Sequence, residues 1–301
     1  MENNQNIRTD LALEAQELWR ESAGEITSIQ GVEAAQETIN GFIVTTVNIL
    51  DKNGEEVLGK PAGKYVTIEL DGLIRREENS FSNAVELVAK QIRSLMNMDT
   101  LDAVFVAGLG NNAITPDAIG PETINSIMIT RHLKERMPQE FAPFKQVAAV
   151  QTGVLGTTGI ESADLITAVI SRLHPDCIIA VDALASRSVG RLCRTLQISN
   201  TGIIPGSGVG NSRMALNEET LGVPVVAIGV PTVVDADTLL SDMAGKAGWR
   251  NMQEDQTIQK MIVTPRDIDK NVRDIAKLIG YSINMAIHKD LTLEDIDMFV
   301  S

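Results

Sequence analysis

The chain has 301 residues, of which 44% are hydrophobic and 3% aromatic, and its formal net charge at pH 7 is -14. This length is ample for one large domain with an aliphatic core, and the acidic balance repels phosphate backbones, which argues against a nucleic acid partner. There is no secretory signal and no apolar run long enough to span a bilayer, so we expect a cytoplasmic protein without membrane contact.

The N-terminal part predicts a pair of antiparallel strands followed by a helix. The residues before Leu11 are polar and are not expected to order by themselves. Runs of β-favouring residues at 42–50 and 64–70 flank a predicted turn at 51–54. The segment from Ser80 to Met98 predicts a helix, because its apolar residues recur at the spacing of one helical face: Phe81, Val85, Val88, Ile92 and Leu95.

From Val104 onwards, predicted strands and helices alternate. The order is a strand at Val104, a helix over 122–133, a strand at Val147, a helix over 162–173, a strand at Ile178 and a strand at 225–228. This alternation predicts right-handed crossovers and an α/β fold, with a mostly parallel sheet and helices on both faces. We assign residues 11–301 to one domain of this class.

Two further helices are predicted in the last third of the chain. Thr232 is a candidate cap for a helix that runs towards Asp242. The sequence from Thr264 to Asp267 resembles a capping box. The helix after it would bury one apolar face, made of Ile268, Val272, Ile275, Ile279 and Ile283.

Two aspartates that follow apolar runs are the candidate functional residues. Asp182 comes directly after the apolar run 177–181, where a carboxylate without a partner is costly to bury. Asp117 lies in the turn after the strand at Val104, and open α/β folds bind ligands at this carboxyl edge of the sheet. Asp117 also has a structural interpretation, since Thr115 and Pro116 before it make a good helix start.

Several common catalytic patterns are absent from the sequence. The zinc-peptidase pattern HExxH does not occur, and no serine lies in a GxSxG elbow. Cys177 and Cys193 are too few for a disulfide framework. Because Cys177 lies inside an apolar strand, we interpret it as a packed core thiol.

The glycine-rich loops leave two interpretations open. Glycines at 108 and 110 after a strand form half of a dinucleotide fingerprint, so a non-catalytic nucleotide-binding module is one alternative. The other is that the loops let backbone N–H groups approach a substrate carbonyl. The residues assigned to that role are Gly108, Gly110, Asn111, Gly206 and Gly208. No cofactor is predicted.

Paired carboxylates can divide the work of hydrolysis. One acts as general base on a water and the other donates a proton to the leaving amine, because like charges push their titrations apart. A metal ion between Asp117 and Asp182 is the rival mechanism, with Asp235 and Asp237 as candidate further ligands. A position at the head of a helix explains these last two acids equally well.

An ordered set of segments resembles the germination protease family of spore-forming bacteria. The segments are GLGN at 108–111, TPDAIGP at 115–121, TGVLGTTGIES at 152–162, IIAVDALASRS at 178–188, ISNTGIIPGSGVGN at 198–211 and VPVVAIGVPTVVDA at 223–236. The resemblance covers nearly the whole chain. It implies an endopeptidase of the spore core that degrades small acid-soluble spore proteins during germination and cuts after an acidic residue.

The same resemblance implies further properties. The fold would be similar to that of hydrogenase-maturation peptidases, among phosphorylase/hydrolase-like α/β folds, and the protein would be a homo-oligomer, a tetramer. The proposed catalytic pair of the family corresponds to Asp117 and Asp182. A metal-dependent maturation peptidase is the alternative enzyme. The polar insert between Ala244 and Met261 is shorter than usual for the family, which leaves functions tied to it open.

The N-terminus carries a segment similar to the family's substrates. Those are cut in the order Thr-Glu, then an aromatic residue or Ile, then Ala-Ser-Glu, and residues 9–14 follow this order as TDLALE. The resemblance implies a zymogen that removes a propeptide, residues 1–10, by cutting between Asp10 and Leu11. The same residues also predict the start of a helix, with Thr9 or Asp10 as its N-cap.

Overall fold

A nine-stranded sheet organises the parts of the chain that the computed structural model describes, residues 8–23, 29–206, 213–247 and 261–300. Its strands are β1 (Val32–Ile39), β2 (Phe42–Ile49), β3 (Gly63–Glu69), β4 (Ala103–Gly108), β5 (Gln146–Gln151), β6 (Cys177–Ala185), β7 (Thr195–Ser199), β8 (Val225–Asp235) and β9 (Ile262–Val263). The order across the sheet is β1-β2-β3-β7-β8-β6-β4-β5, and β9 pairs with the end of β8.

The sheet has a parallel core and an antiparallel wing. Strands β8, β6, β4 and β5 are parallel to their neighbours in this core, while β1, β2, β3 and β7 form the wing and join β8 through an antiparallel pairing. The predicted α/β class is therefore confirmed, but the wing is larger than the predicted strand pair. The sequence did not predict β1, because this strand is exposed along most of its length, nor β7, because it has only 5 residues.

Helices cover both faces of the parallel core, as predicted. They are α1 (Ala12–Ala23), α2 (Lys52–Leu58), α3 (Asp71–Ile74), α4 (Ser80–Leu95), α5 (Ile119–Ile124), α6 (Arg131–Arg136), α7 (Leu155–Thr158), α8 (Ser162–Leu173), α9 (Glu218–Leu221), α10 (Ala236–Ala247), α11 (Ile268–Ile287) and α12 (Leu293–Val300). In β4, Val104 and Val106 pack in one cluster with α4 and α11, whereas Phe105 and Ala107 pack in another with α8. No helix of the described ranges is long and apolar enough to cross a membrane.

The helix predictions are confirmed in part. The helix predicted over 162–173 is α8, and the one predicted from Ser80 is α4, which ends at Leu95. The single helix predicted over 122–133 is wrong, because the chain forms α5 and α6 with an irregular segment between them. In that segment Met128 donates its N–H to Asn284 Oδ1 at 2.9 Å, and Asn284 Nδ2 donates to Ser126 O at 2.8 Å. These bonds replace helical ones.

Three predicted turns and caps are also wrong. The turn at 51–54 is the start of α2, because the Asp51 carboxylate accepts from Gly54 N as an N-cap. Thr232 lies inside β8 and does not cap α10. Thr264 Oγ1 donates to Thr232 O at 2.8 Å instead of forming a capping box, and α11 begins only at Ile268. The predicted inner face of α11 is buried throughout and forms part of the core.

Candidate active site

The candidate site lies where the direction of strand order reverses. From β4 the chain goes to β5 on one side and then to β6 on the other, so the carboxyl ends of β4 and β6 border a crevice. Pairing between these two strands ends at Gly108 and Val181. Asp182 is the next residue of β6, and the loop after β4 carries Asp117. The fold therefore brings the two predicted aspartates to one edge of the sheet.

Asp182 is held by the buried strand that precedes it. Its side chain is only 5% exposed, and Ala183 N donates to its Oδ1 at 2.9 Å. Across the sheet Asp182 lies opposite Gly229 of β8, which lies opposite Gln197 of β7. Residues paired in this way project from the same face, so Asp182 and Gln197 are on one face with a glycine between them.

Asp117 is positioned by a tightly closed loop. It ends a 3-10 turn over Thr115–Asp117, and its carbonyl oxygen accepts from Asn111 N at 3.0 Å. Gly110 has φ +107°, and a Cβ there would lie 2.1 Å from Asp117 O. Thr115 is the first residue of this turn and Ile114 is its N-cap, so Thr115 is not the cap that the sequence predicts. The loop thus fixes Asp117 through backbone contacts that only a glycine at position 110 permits.

Both aspartates line one cleft of about 260 Å³. Its walls are largely apolar or backbone, with contributions from Leu109, Ile114 and Val233. Such walls limit hydration of the carboxylates and strengthen charge interactions between them. A concave, largely apolar space with convergent polar groups is the usual setting of an active or binding site.

The two carboxyl groups are driven towards different protonation states. Burial raises the pKa of Asp182 well above its ordinary value, and the charges of Asp117 and Asp10 raise it further. Burial also raises the pKa of Asp117, to about 6, although a backbone hydrogen bond from Asn111 and the charge of Arg213 oppose the rise. The more deeply buried Asp182 is therefore the member of the pair that holds a proton more readily, and Asp117 is the member that ionises more readily.

Arg213 is a site residue that the sequence analysis missed. Its side chain lines the cleft, is 20% exposed, and lies 3.7 Å from Glu161. Its charge lowers the pKa of both aspartates. No pattern marks a lone arginine in a loop, so nothing in the sequence singled it out. A cation in this position can stabilise negative charge that develops on a substrate oxygen.

The predicted glycine loops contribute unequally to the cleft. Gly110 and Gly206 line it. Gly108 faces α5, where a Cβ would lie 2.4 Å from Gly120 O, and so permits close packing. Asn111 supports the loop of Asp117 and accepts from Ala113 N at 3.0 Å through its side chain. Gly208 lies outside the described residues, as does most of the insert before Met261.

The other candidate groups have structural roles. Asp235 ends β8 and accepts from Asp237 N at 3.1 Å and Thr238 N at 3.3 Å, as a helix cap does. In the parts of the chain described, no three His, Cys, Asp or Glu residues are grouped so as to hold a metal ion. Cys177 and Cys193 are buried, and burial raises the pKa of each thiol to about 12, in agreement with core thiols.

The N-terminal segment lies against the strand that carries Asp182. Asp10 N donates to Ala185 O at 3.0 Å, and Ala185 N donates to Asp10 Oδ2 at 2.8 Å. Gln197 spans the Asp10–Leu11 bond, because its Nε2 donates to Asp10 O at 3.3 Å and its Oε1 accepts from Ala12 N at 2.8 Å. Leu11 is fully buried. No sequence pattern indicates a role for Gln197.

The Gly110 loop provides a test of how Asp117 is held. We expect Gly110→Ala to lower any activity of the site at least tenfold and to lower the free energy of unfolding by about 1–3 kcal/mol, since Ala resists a positive φ and its Cβ would collide with Asp117. Gly156→Ala is the matched control, because a Cβ there meets nothing within 4 Å. Activity assays and chemical denaturation measure both effects, and equal behaviour of the two variants would contradict this account.

Comparison with known proteins adds family information. Residues 12–246 match the family model described as germination protease. Similar curated proteins named germination protease include those of Caldanaerobacter subterraneus subsp. tengcongensis, 42% identical with 98% of each chain covered, and Bacillus cytotoxicus, 44% identical with 95% of this chain and 94% of the relative covered. Among solved structures, a NiFe hydrogenase maturation protease from Thermococcus kodakarensis has a TM-score of 0.35 and 17% identity, over 64% of this chain and 98% of that one.

Proposed function

The chain belongs to the germination protease family, and from this we propose that it is an aspartate-dependent endopeptidase that degrades small acid-soluble spore proteins. The family resemblance found in the sequence is confirmed, and a protease role in spore germination follows from it. The proposal adds that the chain is a zymogen, that it removes residues 1–10 by cutting between Asp10 and Leu11, and that its substrates are cut after an acidic residue.

The observation that carries the proposal is the pair of carboxyl groups in one cleft. Asp117 and Asp182 both have raised pKa values, for the same physical reason, and lie at the crevice where α/β folds bind ligands. The backbone of Asp10 pairs with the strand that carries Asp182, and the charge of Asp10 raises the pKa of Asp182. A bond of the chain itself is therefore presented to this edge of the sheet.

The chemistry proposed for the pair is general acid–base hydrolysis. The ionised Asp117 takes a proton from a water molecule, whose oxygen attacks the carbonyl carbon of Asp10. The protonated Asp182 gives its proton to the amide nitrogen of Leu11, and the bond between that carbon and nitrogen breaks. Asp117 is then protonated and Asp182 ionised, so exchange with solvent restores the starting state. Gln197 donates a hydrogen bond to the carbonyl oxygen of Asp10, and Arg213 supplies positive charge to the cleft that holds the two aspartates.

The N-terminus of the active form tests the zymogen proposal. We expect mass spectrometry of the purified protein, sampled as activity on a small acid-soluble spore protein appears, to find a mature form that begins at Leu11. The full chain with Asp182→Asn should keep its N-terminal residues. A fully active protein that still carries residues 1–10 would contradict the zymogen proposal. Loss of cleavage with chelator would instead support the alternative of a metal-dependent peptidase.

Location and assembly are part of the proposal and rest on the family resemblance. We expect a homo-oligomer, a tetramer, in the spore core, with small acid-soluble spore proteins as partners and no nucleic acid or membrane contact. Sedimentation measurements on the full chain test the tetramer, and a monomer at micromolar concentration would contradict it.

A further inference from the structure

A fully buried carboxylate four residues after Asp10 has no role in the chemistry proposed for the Asp10–Leu11 bond. Glu14 lies in the first turn of α1 and has 0% exposure. Its Oε1 accepts from Ser186 Oγ at 2.9 Å, Ser188 N at 3.1 Å and Arg191 Nη1 at 3.1 Å. Its Oε2 accepts from Arg187 N at 2.6 Å and from Thr9 Oγ1. Both oxygens are thus surrounded by donors, one of them a cation.

Four of these five donors belong to the segment that follows β6. This strand carries Asp182, pairs with Asp10 through Ala185, and continues directly into Ser186. A single stretch of chain therefore holds the residue before the Asp10–Leu11 bond and the residue four positions after it. The strand that carries Asp182 therefore leads directly into the donors at 186–188 that bind Glu14.

Anchoring of α1 does not require so complete a site. Arg191 already binds Glu17 of α1 through both guanidinium Nη atoms, at 2.8 and 2.7 Å, where Glu17 is 38% exposed. Desolvating a carboxylate costs far more than a surface ion pair returns unless its donors are preorganised. The buried Ser186 hydroxyl and two adjacent backbone N–H groups are preorganised in this way.

We propose that Ser186, Arg191 and the N–H groups of Arg187 and Ser188 form a carboxylate-binding subsite for substrates. In the uncleaved chain it holds Glu14, and in the mature form it holds an acidic side chain four residues beyond the bond to be cut. This inference rests on the proposed peptidase function, and it names the residues that select the substrate. A peptide with an uncharged side chain there leaves the N–H groups of Arg187 and Ser188, and the Arg191 contact that Glu14 accepts, without a charged acceptor, and it is rejected.

Cleavage weakens the binding of Glu14, so a substrate side chain can replace it in the subsite. Loss of residues 1–10 removes the Thr9 hydroxyl bond to Glu14, the pairing of Asp10 with Ala185 and the bond from Gln197 to Asp10 O. It also leaves a new ammonium group on Leu11, which is buried in the uncleaved chain, and burial of an unpaired charge is unfavourable. The start of α1 can then leave the subsite to a substrate.

Paired peptides test this subsite. The first has the sequence of residues 5–18, and the second differs only by Glu14→Gln in the peptide. Mature wild-type protein should cleave the first with a kcat/KM about 30-fold to 100-fold higher, as expected for charge-assisted hydrogen bonds. In Arg191→Met the ratio of the two kcat/KM values should be about threefold or less. In Ser186→Ala this ratio should be about ten times smaller than in the wild type. Variants that do not mature alone are converted with tagged wild-type protein, which is then removed.

Glu17→Gln is the control, because it breaks the other Arg191 pair and leaves the Glu14 donors in place, and it should keep the wild-type preference. Thermal unfolding checks that each variant is folded. If Arg191→Met does not fold, the peptide preference of Ser186→Ala alone tests the subsite. An undiminished preference in the folded variants, or no preference in the wild type, overturns the subsite while leaving the peptidase function intact. If the mature protein cleaves neither peptide, both the proposed peptidase function and the subsite are overturned.

Discussion

Asp182→Asn and Asp117→Asn should each lower cleavage of a small acid-soluble spore protein by about 1,000-fold or more. An amide has nearly the volume of a carboxyl group, but it can neither accept a proton from water nor donate one to a leaving amine. Both variants should remain folded, since neither aspartate is paired with a cation at short range in the described chain. Activity and circular dichroism measured on the same samples separate loss of chemistry from loss of structure.

Asp182→Asn should also raise the melting temperature at neutral pH. Burial raises the pKa of Asp182 in the folded chain, so the folded state binds more protons than the unfolded state, and its stability rises as the pH falls. The stabilising effect of the substitution should therefore shrink on acidification. Asp164→Asn, at an exposed position of α8, is the control and should change neither activity nor melting temperature. Near-normal turnover in either active-site variant would remove that aspartate from the mechanism.

The sequence predicted those parts of the site that local patterns specify. Asp182 was found because a carboxylate directly after five apolar residues is unusual, and the parallel strands were found from their apolar runs. Arg213 and Gln197 were not found, because each acts through contacts with residues distant along the chain. Gln197, for example, meets Ala12 across 185 positions. No local periodicity carries such information.

The wrong predictions about the fold also arise from contacts between residues that are distant along the chain. The helix predicted over 122–133 is interrupted because Asn284, 156 positions away, binds the N–H group of Met128. Thr264 has the residue type and spacing of a helix cap but donates to β8 instead. In each case a tertiary hydrogen bond replaces the local one that the pattern predicts. Local patterns locate the candidate site at the carboxyl edge of the sheet, while the residues around that site come together only in the assembled fold.

The pH dependence of cleavage should be bell-shaped, with its acid limb near pH 6. Below the pKa of Asp117, about 6, this carboxylate binds a proton and can no longer act as the base, so the rate falls as the pH falls. Above the raised pKa of Asp182 the acid is lost, and the rate falls again. Because the two carboxyl groups interact, the apparent pKa values read from the two limbs belong to the pair and not to either residue alone.

Arg213→Gln should move the acid limb to higher pH. The positive charge of Arg213 lowers the pKa of Asp117, so its removal lets that pKa rise, and a higher pH is needed to ionise the base. Arg172→Gln, an exposed arginine at the end of α8, is the control and should leave the profile unchanged. The measurement is kcat/KM of the mature protein on one peptide between pH 5 and 9, at about 0.15 M salt to limit effects of distant charges. An acid limb that stays in place or moves to lower pH in Arg213→Gln would assign the base to a group other than Asp117.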